Sequence, residues 1–339
     1  VAYLFAHNDG DGEFGPDGSD IIKCGSYTGS GADQNIDLGF EPQFLLIKNA
    51  TDAADWYILD TMRGFTATSL TNEHINPNNS NAESKVGNVV YDKFLNSTGF
   101  NVKANASEFN TSNKNYIYMA IRRGPLAPPE AGTEVFAMDT RGAGTPDFTA
   151  GFSVDMSLFK DIASSSSSWT NSARLIQGLR LIPNSTAAEA ASSFYDFDYQ
   201  SGWGDSANGA DTNDQTWMWK RAPSFFDVVC YTGDGSTTTI PHNLQVVPEM
   251  VINKVRNDGG TWRVHHAAFG YDYEIYLDGT SAMQGPGYGG NWGGANPTAT
   301  RLAVSGGTNT NNYKFISYLF ATLDGVSKVG SFTATGNDV

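Results

Sequence analysis

The sequence predicts an all-β protein of tandem β-sandwich repeats, jelly-roll-like and about 100 residues each. Three observations predict it. Short runs rich in Val, Ile, Phe and Tyr alternate with clusters of Gly, Asn, Asp and Pro. Several motifs recur at long, constant separations, the signature of a repeated unit. The 339 residues are 40% hydrophobic, enough to fill cores, yet contain only two cysteines, so no disulfide scaffold holds them.

The elements follow in chain order. Tyr27-Thr28-Gly29-Ser30-Gly31 recurs as Tyr231-Thr232-Gly233-Asp234-Gly235, and more loosely as Phe332-Thr333-Ala334-Thr335-Gly336. The motif predicts a hairpin turn whose glycines supply positive φ. Leu38-Gly39-Phe40-Glu41-Pro42 predicts the bend into a central strand, Phe44 to Lys48; the counterpart runs through Leu244 and Pro248 into Met250 to Lys254. Pro42 to Trp56 and Pro248 to Trp262 both span 14 positions. Trp56, Trp169 and Trp262 are expected to fill sandwich cores. Tyr116 to Ile121 and Phe225 to Tyr231 complete the set of predicted strands. Tyr318-Leu319-Phe320-Ala321 repeats Tyr3-Leu4-Phe5-Ala6 letter for letter. The stretch from Gly151 to Pro223 reads as a diverged copy, with Lys160, Trp169 and Leu181 in the corresponding places. One short helix is predicted over 187–191, capped by Ser185-Thr186.

This register places the last strand of a preceding repeat and an acidic linker in residues 1–22. The first repeat is 23–126, the diverged second 127–223 and the third 224–323. Residues 324–339 carry the first strand of a following repeat. The chain therefore reads as a piece of a longer array.

A net charge of −15 argues against nucleic-acid binding, which needs excess Lys and Arg. No apolar run is long enough to insert as a membrane helix. The five histidines form no zincin motif, and neither a nucleophile elbow nor a Walker loop is present. Asp139, Asp155, Asp196 and Asp198 carry no mark beyond surface acid, so no catalytic residues and no enzyme activity are predicted. His265-His266 on a strand would point to opposite faces, which makes them poor chelators. Asp9, Asp11, Glu13, Asp17 and Asp20 place alternate acidic oxygens among glycines, a pattern suited to calcium. The loop is an insertion: Phe5 to Tyr27 spans 22 positions where Phe320 to Phe332 spans 12. No other cofactor is expected. Trp203, Tyr288 and Trp292, set among Gly and Asn, are the candidate stacking platforms for sugar rings. Arg122-Arg123 and Lys220-Arg221 are expected to meet acids of a neighbouring unit.

Lys220-Arg221-Ala222-Pro223-Ser224-Phe225-Phe226-Asp227-Val228-Val229 with Tyr231-Thr232-Gly233 and Gly235 resembles repeats in large bacteriophage virion proteins. These are the tail-fibre or tail-associated proteins common in marine phages. The run from Tyr318 to Ser331 and that from Asn115 to Pro125 carry the same resemblance, which covers nearly the whole chain. It implies a β-rich virion module on the extracellular surface of the particle. Its expected partners are other virion proteins or copies of itself, with attachment to a host-surface glycan as its expected role. No catalytic residue carries over from it. The competing expectations are a tail-associated polysaccharide-degrading enzyme and a bacterial surface adhesin or filament.

Overall fold

The computed structural model describes residues 1–7, 20–67, 73–85, 95–104, 106–205, 209–285, 291–293 and 295–334. It is an all-β sandwich fold, with one four-residue helix, Ser107–Asn110, and a few single 3-10 turns among the described residues.

The first sheet comprises β1 (Ile22–Thr28), β3 (Pro42–Asn49), β4 (Trp56–Asp60) and β6 (Asn115–Arg122), in the order β1-β6-β3-β4. A smaller sheet pairs β2 (Gln34–Asp37) with β5 (Gly99–Val102). The middle sheet holds β7 (Phe136–Arg141), β8 (Met156–Asp161), β9 (Thr170–Ala173) and β10 (Asp211–Trp219), in the order β7-β10-β8-β9. The last large sheet contains β11 (Phe226–Thr232), β13 (Met250–Val255), β14 (Arg263–His266), β15 (Ile275–Tyr276) and β17 (Lys314–Phe320). Its order is β11-β17-β13-β14-β15, and β12 (Thr238–Pro241) pairs with β16 (Arg301–Val304) beside it. Thus the same order, first strand, last strand, second long strand, next strand, occurs three times.

The chain divides into two compact units: residues 1–127, 136–182 and 189–220, and residues 128–135, 183–188 and 221–339. The first and middle sheets therefore share a unit, where the sequence suggested separate repeats. Buried Arg174 helps join them, donating to the Thr61 carbonyl at 3.2 Å and the Val154 carbonyl at 2.9 Å. In the second unit the core draws Val229, Val251 and Leu319 from the large sheet and Leu302 and Val304 from the small one. The two sheets thus face each other as a sandwich.

The Tyr-Thr-Gly-x-Gly motif is not a hairpin turn. It carries the chain from β1 to β2 and from β11 to β12, which lie in different sheets. Its glycines have separate jobs. Gly31 and Gly235 take positive φ, 71° and 78°. A Cβ on Gly29 or Gly233 would collide with the carbonyl oxygen of Thr111 or Thr310. Both corners close with the same bonds: Gly29 N–H to the Lys114 carbonyl and Gly233 N–H to the Tyr313 carbonyl, each 2.8 Å. Tyr27 donates to the Phe109 carbonyl at 2.7 Å, and Tyr231 to the Thr308 carbonyl at 2.6 Å.

The Lys–Trp spacing has an equally local cause. Lys48, Lys160 and Lys254 each donate to the carbonyl two residues before the following Trp: Ala54, Ser167 and Gly260. The lysine ties down the chain that returns as the next strand. Trp262 is buried and lies parallel to Tyr318, as expected of a core residue. Trp56 and Trp169 are only half-buried, because each stands at or just before an edge strand.

The helix predicted over 187–191 does not form. Ala190–Ala191 is a short strand paired with Leu179–Arg180. The Ser185 and Thr186 carbonyls accept from Trp262 Nε1 and Lys254 Nζ instead, and these tertiary bonds override weak helix propensity.

Candidate functional site

The candidate sugar platforms fare differently from the sequence expectation. Trp203 is fully buried. It is stacked between Phe148, Tyr195 and Phe197, with ring centroids at 5.0, 5.6 and 5.7 Å, and its Nε1 donates to Thr216 Oγ1. Trp292 is 3% exposed and packs in the core of the second unit. Neither presents an open ring face, so neither serves as a stacking platform. Each fills a β-sandwich interior because large aromatic area is worth most when removed from water. Tyr288 lies outside the described residues.

Of the acidic loop, Asp9, Asp11, Glu13 and Asp17 also lie outside the described residues. The backbone carbonyl of Asp20 accepts from Arg122 at 3.4 Å. Among the described residues no group of three His, Cys, Asp or Glu side chains is gathered to hold a metal ion. The basic residues closing each unit are engaged in ion pairs: Arg123 with Glu41 at 3.5 Å and Arg221 with Asp227 at 3.7 Å. Each pair lies within one compact unit, so neither meets an acid of a neighbouring one.

The four aspartates separate into distinct roles. Asp139 accepts from the Thr149 amide and hydroxyl at 2.8 and 2.9 Å. Asp155 pairs with Arg174 at 3.7 Å. Asp196 accepts from the Asp198 amide at 2.8 Å. Burial, opposed by a bond from Gln177 and reinforced by the Asp196 charge, raises the Asp198 carboxyl to about 7. Its Oδ1 is buried without a hydrogen-bond partner.

A concavity lies in the second unit, on the face of the large sheet where β13, β14 and β17 meet the turn before β17. It is an open cleft of about 180 Å³ whose polar wall includes Asn253, Asp258, Thr261, Arg263, Thr310 and Tyr313. Asn253 is fixed by donating to Tyr231 Oη at 2.9 Å and Ser317 Oγ at 2.8 Å. Arg263 is ion-paired with Glu274 through its Nη1 and stands over the Tyr276 ring at 5.8 Å. The Tyr313 hydroxyl, and after it the Gly259 amide, hold the Asp258 carboxyl below the usual carboxylate range. Lys254, between two cleft residues on β13 but directed to the opposite face of the strand, is wholly buried, and desolvation brings its amine down to about 8. Sequence reasoning missed this cleft. Its residues come from segments some fifty positions apart, and only Asn253 falls in a run the sequence singled out, there as a strand residue.

Next to it lies a smaller polar recess. Glu274 accepts from Asn291 through both oxygens at 3.0 Å and from Tyr276 at 3.0 Å. His265 is buried against Tyr271 with ring centroids 4.4 Å apart, and neither ring nitrogen finds a hydrogen-bond partner. His266, on the other face of the strand, is only half-buried.

The family model named "Domain of unknown function (DUF7483)" matches residues 1–125 and 138–338, and the chain belongs to that family. No curated protein and no solved structure matches it.

Proposed function

We propose that this chain is a structural part of a bacteriophage virion, in a tail fibre or tail-associated protein, that contributes to attachment at the host surface. The observation that carries the reading is the recurrence of one strand order three times along a single chain. Repeated β units lengthen a fibre by addition, and each new copy needs only its own sandwich core. The virion-protein resemblance of the strand-closing motifs supports the same assignment. Its partners are then neighbouring virion proteins or further copies of the chain, and its place is the outside of the particle. Mass spectrometry of gradient-purified virions, with gold-labelled antibody against this chain, tests it. The protein is expected in the particle, with label on the tail. Its presence only in the soluble fraction of the lysate would end the proposal.

A second reading, cleavage of a host polysaccharide, draws on Asp198, whose carboxyl near pH 7 beside Asp196 has the character of a proton donor. Release of reducing ends from host envelope polysaccharide, lost in Asp198→Asn, would favour it over a purely adhesive part.

A further inference from the structure

The first and third repeats share one framework, so their side chains can be compared position by position. Strand register supplies the correspondence. In the first repeat Ile47 faces Tyr57 on one side and Tyr118 on the other. In the third, Asn253 faces Arg263 and Ser317 in the same places. The corner tyrosines extend the match: Tyr27 reaches the Phe109 carbonyl where Tyr231 reaches that of Thr308.

Four positions have changed together. Ile47, Tyr57, Tyr118 and Phe109 become Asn253, Arg263, Ser317 and Thr308. In the first repeat these positions carry bulky side chains, and the packed pair of Tyr57 and Phe109 forms a plug. Ile47 and Phe109 are fully buried, and Tyr57 meets Phe109 edge-on at 4.8 Å. In the third repeat that plug is gone: Asn253 and Arg263 line an open cleft, while Ser317 and Thr308 are buried outside its wall. Replacing aromatic packing by polar groups around a void weakens a domain. A copy that gives up its plug while its sister keeps one departs from the local rule where a function would sit.

We infer that this cleft binds one uncharged sugar ring. The inference rests on the attachment reading above and names the partner. The volume of about 180 Å³ is below the roughly 300–1,000 Å³ typical of drug-sized ligands, which limits the occupant to a single small ring. The charges at the wall are already answered: Arg263 by Glu274, and Asp258 by the Tyr313 hydroxyl and Gly259 amide. No cation is left over to select an anion. What remains suits hydroxyl groups, which donate and accept at once: the accepting oxygens of the exposed Asp258 carboxylate and the hydroxyls of Thr261 and Thr310. The half-buried ring of Tyr313 gives the C–H face of a sugar an apolar surface.

The test uses the full chain labelled with nitrogen-15. Methyl glycosides of glucose, galactose, mannose and N-acetylglucosamine are added to millimolar concentration, with the methyl glycoside of sialic acid as the charged comparison. At least one neutral glycoside is expected to shift amides within 253–263 and 306–315. Thr261→Trp, which blocks the mouth, should abolish the shifts. Asp258→Ala, at an exposed position that tolerates change, should weaken binding about tenfold or more. The inference is overturned if no neutral glycoside shifts these amides, if both variants bind as the parent does, or if the charged glycoside binds better. Binding of the chain to host cells is measured alongside. Cell binding without cleft shifts removes the cleft and leaves attachment standing; cleft shifts without cell binding do the reverse.

Discussion

Trp262→Ala and Trp56→Ala are the same change at equivalent places in two repeats, and the structure predicts unequal costs. Trp262 is 1% exposed, lies parallel to Tyr318 and donates through Nε1 to the Ser185 carbonyl at 3.2 Å. Truncating a buried Trp costs about 3–5 kcal/mol. The abandoned carbonyl adds about 1 kcal/mol, so the expected loss is about 4–6 kcal/mol. Trp56 is only half-buried, and removing it leaves a dent open to water rather than a closed cavity. Its loss should be about 1–2 kcal/mol, scaled from burial of roughly half the side chain. Because the chain has two compact units, one melting temperature would mix them. Hydrogen exchange read by peptide separates them: the strand 250–255 reports the first variant and the strand 42–49 the second. Opening free energy should fall strongly at 250–255 in Trp262→Ala and slightly at 42–49 in Trp56→Ala. Equal losses, or a Trp262→Ala chain within about 1 kcal/mol of the parent, would refute the placement of these rings.

Other outcomes follow from the corners and the buried titrating groups. Gly233→Ala should destabilise the second unit by at least about 1–3 kcal/mol, because its Cβ meets the backbone of Asn309 and Thr310 rather than a movable side chain; a wild-type calorimetric profile would contradict this. Asp198 is raised from 3.8 to about 7 by burial, so its contribution to stability is fully present below about pH 4 and lost as pH rises through 7. Asp198→Asn should therefore be more stable than the parent at pH 8, by up to a few kcal/mol, with the difference vanishing in acid. His265 is lowered from 6.5 to about 4, first by burial and then by the His266 charge. Its neutral form favours folding, so stability is complete above about pH 6.5 and declines as pH falls toward 4. Between pH 4 and pH 7 the two groups push their units in opposite directions, and calorimetry across that range should show the order of unfolding of the two units drawing together or crossing. Parallel shifts of both transitions would contradict it.

The second long strands of the first and last sheets were legible because they carry the alternation of a surface with one buried face. Phe44 to Lys48 falls inside β3, and Met250 to Lys254 inside β13. The matching corners were legible because their glycines tolerate few substitutes. What sequence left hidden has physical reasons. Gly29 and Gly31 look alike on paper, but one is needed for close approach and the other for positive φ, and together they turn between sheets rather than within one. Recurrence of Trp marked position, not depth, so Trp56 and Trp262 looked equivalent. Trp203 and Trp292 looked exposed because their sequence neighbours are Gly and Asn, yet Gly202, Gly204 and Asn291 are buried along with the rings. The cleft had one readable signal, the apolar-to-polar changes from Ile47 to Asn253 and from Tyr57 to Arg263, visible only once the copies are aligned strand by strand.

That alignment also explains how one copy can lose its plug and keep its fold. The bonds common to the repeats address backbone atoms. Lys48, Lys160 and Lys254 donate to carbonyls belonging to Ala54, Ser167 and Gly260, three different residues. Tyr27 and Tyr231 donate to the carbonyls of Phe109 and Thr308. The corner glycines accept and donate through main-chain atoms alone. A framework fixed in this way does not specify the side chain at the accepting position. Phe109 can become Thr308 without loss of the bond that locates it, and the aromatic plug can be withdrawn while strand order and corner geometry stay as they were. The donors, by contrast, cannot be exchanged so freely: a Lys and a Tyr hydroxyl reach where shorter side chains do not. Divergence is therefore expected to concentrate at acceptor positions and at the wall they support, which is where the third repeat carries its cleft.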